Sequence, residues 1–128
     1  MNSNESAFAY HQSTAFGASA LGQVIALYDT ILRDFHRATA AIGASQIEKR
    51  VNAFNHALIV VGELQGVLDY ERGGQAARNL SGFYTVARAL MVQASMTGSR
   101  EKVQELIAMF TTIRAAWVKA EQTLCSTP

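Results

Sequence analysis

The chain has 128 residues, 49% of them apolar, and 11 basic against 10 acidic residues leave a formal net charge of +1. That length and apolar share suffice to bury one core. The near-balance of interspersed charges excludes an electrostatic partnership with nucleic acid or an anionic membrane, and no apolar run approaches the length of a spanning helix.

Residues 1–18 are mostly small and polar, with Phe8, Tyr10 and Phe16 among them. This composition predicts a mobile N-terminal arm, and the aromatic rings predict that it docks, because each carries a large apolar area. No basic head precedes an apolar signal core, so a cytoplasmic protein is expected.

A first helix is expected from Ser19 to about Ile42, with Leu21, Val24, Ile25, Tyr28, Ile31, Leu32, Phe35 and Ile42 on one side. Arg33 and Asp34 fall away from the centre of that stripe, and Gly43 offers a left-handed stop. Ser45 and Glu48 have the spacing of a capping box for a second helix. Its expected end is about Arg72, before the reversal permitted by Gly73-Gly74.

Within that helix Leu58-Ile59-Val60-Val61 is apolar on all sides, which implies two packing neighbours. One stripe runs through Ile47, Val51, Phe54, Leu58, Val61 and Leu68; another runs through Ala53, Ala57, Val60, Leu64 and Val67. Ile59 belongs to neither. Gly62 and Gly66 follow it at helical spacing and predict a shallow notch on the outer side, where a partner docks.

A third helix is expected over about Gln75 to Met96, with Leu80, Phe83, Tyr84, Ala87, Leu90, Met91 and Ala94 facing inward. Gly98 breaks it and Ser99 caps a fourth helix, whose seam is Val103, Leu106, Phe110, Ile113, Trp117, Ala120 and Leu124. Cys125, the only cysteine, has no thiol partner in the chain. The fold class is therefore all-α: an antiparallel up-down four-helix bundle over 19–125, preceded by the arm.

No chemistry emerges from the spacing. A di-iron bundle needs glutamate and histidine one helical turn apart, and neither that pair nor H-x-x-x-H occurs, so no metal or cofactor is expected. His56 is the candidate for a phosphotransfer histidine, the alternative reading. Ile59 and Val60 stand where such modules usually carry lysine and glycine to stabilise the phosphoryl oxygens. No G-x-S-x-G elbow or dinucleotide loop is present, and an enzyme is not expected.

The order of several short motifs resembles the flagellar secretion chaperones that bind flagellin. They are Tyr10, Leu27-Tyr28-Asp29, Glu63-Leu64 with Leu68-Asp69, Gly73-Gly74 leading to Asn79-Leu80, Phe83-Tyr84, and Ala116-Trp117. Together they run from about Tyr10 to Gln122. The family often has a proline where Ser19-Ala20 stand and a second tyrosine where Val86 stands. The resemblance implies an export chaperone without catalysis that holds the disordered C-terminal segment of flagellin in apolar grooves, prevents premature polymerisation, and has the flagellar export apparatus as a further partner. It also implies that the arm, anchored by Tyr10, covers part of the binding surface until the client arrives. A helical adaptor for another export client is a second alternative. The partner-contact candidates are Tyr10 and Tyr28 from the resemblance, with Ile59, Gly62 and Gly66 from helix geometry; Tyr28 also fits the core stripe.

Overall fold

The computed structural model describes residues 20–126, so the expected arm, with Tyr10 and Ser19, lies outside the described residues. Four helices follow in order: α1 (Leu21–Gly43), α2 (Ile47–Gly66), α3 (Tyr70–Thr97) and α4 (Arg100–Ser126). Alternating steps of three and four residues bring Leu21, Val24, Tyr28, Ile31 and Phe35 of α1 into the core. Val103, Leu106, Phe110, Trp117 and Ala120 do the same for α4.

The helices form a ring in which α1 packs on α2 and α4, and α3 completes the square against the same two. Paired residues show the alternating direction. Phe35 stacks near Phe54 and Asp34 meets His56 across α1–α2, Arg50 and Arg88 reach Ser95 and Leu58 across α2–α3, and Phe35 and Asp29 meet Phe110 and Arg114 across α1–α4. The bundle is all-α and antiparallel, as the helical spacing and the short connections predict.

The connections differ from the sequence expectation in detail. At the end of α1 the left-handed residue is Ser45 (φ 56°), not Gly43. The Ser45 N–H donates to Ile42 O at 3.1 Å and the Gln46 N–H to Ala41 O at 2.8 Å, the paired bonds of a Schellman turn. Ser45 therefore has the wrong backbone for a helix N-cap. The Ser45–Glu48 box does not form; Gln46 stands at the cap without a side-chain bond.

The second helix stops at Gly66 rather than Arg72, and the third starts at Tyr70 rather than Gln75. Asp69 causes the earlier start: its Oδ1 accepts from the Arg72 N–H at 3.0 Å, satisfying an end donor that glycine cannot. The double glycine lies inside α3, with Gly73 buried and Gly74 (φ 51°, ψ −121°) producing a kink. Gly98 behaves as expected, taking φ 68° and donating to Ala94 O at 2.9 Å. The Ser99 hydroxyl then accepts from Lys102 N at 3.3 Å and caps α4.

Burial follows the predicted stripes through their middles and departs at their ends. Ala53, Phe54, Ala57, Val60, Val61 and Leu64 of α2 are buried, and Leu58 is half-buried. Ile47 and Val67, expected in the stripes, are exposed at the two ends of the helix. Asp34 is the largest correction: it is 1% exposed, although the stripe placed it off the core face. Among the described residues no helix is long and apolar enough to cross a membrane.

Candidate functional site

The apolar seams of α3 and α4 meet over a core made mostly of rings. Phe110 lies 5.5 Å from Tyr28, 5.4 Å from Phe35 and 5.4 Å from Phe83, while Trp117 stands edge-on to Tyr28 at 6.3 Å. These bulky side chains fill the space behind α3 and α4. Between them runs a groove of about 320 Å³ with Leu80 and Phe83 on one wall and Ile113, Ala116 and Trp117 on the other. Asn79 and Thr112 are its polar rim.

The groove's floor is tied into the core. Trp117 is fully buried, whereas Phe83, Ile113 and Ala116 remain partly exposed, so the apolar surface open to a partner belongs to these three. Beneath it the Tyr28 and Tyr84 hydroxyls share a hydrogen bond of 2.6 Å. Burial pushes the Tyr28 phenol up to about 12, partly offset by its hydrogen bonds with Tyr84 and Trp117. Burial also raises Tyr84, reinforced by the repulsion and hydrogen bond of Tyr28. Both phenols are thus neutral around pH 7 and act as internal struts. Arg114 ties α4 to α1 through a two-pronged contact with Asp29, 2.5 Å from Nε and 3.4 Å from Nη2.

The predicted contact residues do not converge. Tyr28 is 0% exposed, so in this arrangement it belongs to the core and presents no surface to a partner. Ile59 is 63% exposed on the outer side of α2. The expected notch beside it is filled at Gly62 by Arg88, whose Nη1 lies 3.4 Å from where a Cβ would stand and donates to Leu58 O at 3.3 Å. Gly66 has open space above it and joins Ala20, Val24, Leu27 and Val67 in a separate groove of about 360 Å³ between α1 and α2. Tyr10 lies outside the described residues.

Sequence reasoning missed Phe83, Ile113, Ala116 and Thr112 as surface-lining positions. It placed Phe83 and Ile113 in the helical seams; their partial exposure arises because a residue at the edge of a seam is both core and groove wall. A signal was present in the motifs themselves, since Asn79-Leu80, Phe83 and Ala116-Trp117 all border the groove. His56, the phosphotransfer candidate, is half-exposed with its Nδ1 2.5 Å from the buried Asp34 carboxylate. Among the described residues no three side chains of the metal-ligating types come together.

The fold and groove define an all-α bundle with a finished core and an open apolar channel between two neighbouring helices. A family model described as flagellar protein FliS matches residues 2–124. The flagellar secretion chaperone FliS of Campylobacter jejuni (subsp. jejuni serotype O:6, strain 81116) is 34% identical over 117 residues, covering 91% of each chain. The flagellar secretion chaperone FliSB of Pseudomonas aeruginosa is 28% identical over 81 residues, 63% of this chain and 64% of that one. The chain belongs to the FliS family of flagellar secretion chaperones.

Proposed function

We propose that this protein acts in the cytoplasm as an export chaperone for flagellin, holding the flagellin C-terminal segment as short amphipathic helices and keeping it from polymerising before secretion. The observation that carries this reading is the open α3–α4 groove, whose walls are the half-exposed Phe83 and Ile113 and whose border contains the residues of the family resemblance. A disordered segment that folds into such a channel gains apolar burial and loses chain entropy, so recognition is helix-in-groove binding coupled to folding.

The chemistry asked of the protein is binding alone. Its rings present a preformed apolar wall, which lowers the ordering cost on the chaperone side and leaves the client to supply the disorder-to-order step. Residues 1–18 form the arm in this reading, with Tyr10 as the anchor that yields when the client arrives, and 19–125 form the binding domain. The export apparatus then receives the complex.

Calorimetric titration with a synthetic peptide of the flagellin C-terminal segment tests the proposal. Saturable one-to-one binding with a negative heat-capacity change is the expected result. Absence of binding, or affinity unchanged when Ile113 is replaced by arginine, overturns the assignment of the groove.

A further inference from the structure

The ring order of the helices puts the α1–α2 face on the opposite side of the bundle from the α3–α4 groove. That face carries a cleft of about 410 Å³ built from a different set of residues. Its floor is small and apolar, with Ala41 and Ala53 buried beneath it, and its larger side chains stand at the sides. Its rim is cationic, with the exposed Arg37 on α1 and Lys49 on α2.

Asp34 organises this rim rather than cancelling it. Its carboxylate is 2% exposed, with one oxygen 2.5 Å from His56 Nδ1 and the other 3.6 Å from Arg37 Nη1. The buried carboxylate therefore accepts from the His56 ring and anchors Arg37, while the outer nitrogen of His56 remains at the cleft. Lys49 has no carboxylate partner among the described residues, and Glu48 beside it does not line the cleft. Gln46 at the start of α2 also lines the cleft and makes no side-chain cap bond, so the positive end of the helix dipole lies on the same side.

We infer that the α1–α2 cleft is a second docking surface, which takes an acidic helical segment of another protein. Small apolar residues of that segment sit over the alanine floor, and its carboxylates, one turn apart, pair with Arg37 and Lys49 across the cleft. Charge complementarity selects this occupant: an apolar helix alone leaves Lys49 without a carboxylate and Arg37 with only the Asp34 carboxylate it shares with His56, and a basic one meets like charge. Because the face is opposite the client groove, the two surfaces can be occupied together, and this docking is independent of the flagellin reading.

The test is a 15N chemical-shift titration of the full chain with a short capped peptide of alanine, leucine and glutamate, its glutamates one turn apart, alongside the same peptide with lysine in place of glutamate. The glutamate peptide should shift the amides around Arg37, Ala41, Lys49 and His56 in a saturable way and lose affinity as salt is raised. Arg37→Glu with Lys49→Glu should weaken it about tenfold or more. Lys49→Glu alone should weaken it in the same direction while leaving the Asp34 contacts untouched. The inference is overturned if the glutamate peptide gives no saturable shifts, if the shifts scatter over all basic residues, if the lysine peptide gives the same map, or if inorganic phosphate alone reproduces it. Unchanged affinity in the folded Lys49→Glu variant overturns it as well.

Discussion

The hydroxyls of Tyr28 and Tyr84 meet at 2.6 Å in the middle of the core, joining α1 to α3, two helices that stand diagonally across the ring. The ring neighbours are held by apolar seams; this hydrogen bond adds a directional link between helices that are not neighbours. Either Tyr28→Phe or Tyr84→Phe leaves the other hydroxyl buried without this partner and should cost about 1–3 kcal/mol of unfolding free energy. Replacing both removes the stranded group, so the double variant should lose less than the sum of the singles. Urea unfolding of the four proteins measures the coupling, and strict additivity would show that the bond contributes nothing.

The same pair predicts an alkaline sensitivity of the fold. Tyr28 is raised to about 12 by burial, and Tyr84 is raised in the same direction. An unfolded tyrosine ionises near pH 10. The folded state therefore holds the phenolic protons more tightly, and this contribution to stability is complete below about pH 10 and disappears as the pH rises through about 12. The urea midpoint should fall over that window, and the Tyr28→Phe/Tyr84→Phe variant should show a shallower fall. Equal slopes for the two proteins would place the alkaline sensitivity elsewhere.

The number of helices and the buried positions of Tyr28, Phe54, Phe110 and Trp117 were legible because each rests on the repeat of one helix, and the antiparallel order because the connections are short. Most of what was not legible depends on two segments at once, with the start of α3 the local exception. The early start of α3 follows from Asp69 capping Arg72, a local polar bond that competed with the more conspicuous Gly73-Gly74. Asp34 sits at the edge of its stripe, and only the arrival of His56 from the next helix turns that edge position into a buried carboxylate. Likewise, the notch expected at Gly62 is occupied from α3 by Arg88. A groove between α3 and α4 is a property of their separation, which neither helix encodes alone.

Asp34 and His56 yield an ordering of variants. Removing the ring by His56→Ala leaves a buried carboxylate with only the longer Arg37 contact, and should cost about 1–3 kcal/mol. Asp34→Asn removes the charge and keeps an acceptor for the ring N–H, so it should be the milder change. Adding Asp34→Asn to His56→Ala should recover part of the loss, because no charge then remains buried. Thermal and urea unfolding decide the order. A His56→Ala protein as stable as the wild type would mean that water replaces the ring at no cost.

Gly98 meets two independent constraints. Its φ of 68° disfavours any L side chain, and a Cβ there would come within 2.7 Å of Arg50 Nη1. Gly98→Ala should therefore destabilise by about 1 kcal/mol or more. Truncating Arg50 in that background should relieve the contact but not the backbone strain, so recovery should be partial. Gly66→Ala is the control: it lies in α2 with open space above it and should be neutral or stabilising by up to about 1 kcal/mol.

Ile113 offers the sharpest separation of binding from folding. It stands half-exposed on the wall of the α3–α4 groove, so Ile113→Arg can turn its guanidinium toward water while spoiling the apolar channel. Melting temperature should change by only a few degrees. Affinity for the flagellin C-terminal peptide should fall by about 2 kcal/mol, the scale of a well-packed anchor position. Deleting residues 1–17 in the same calorimetric series probes the arm separately. If the arm competes for the groove, its removal should raise affinity in the wild-type chain and have little effect once Ile113→Arg has already damaged the shared surface. Equal gains in both backgrounds would mean that the arm acts away from the groove, and no gain in either would remove it from the binding mechanism.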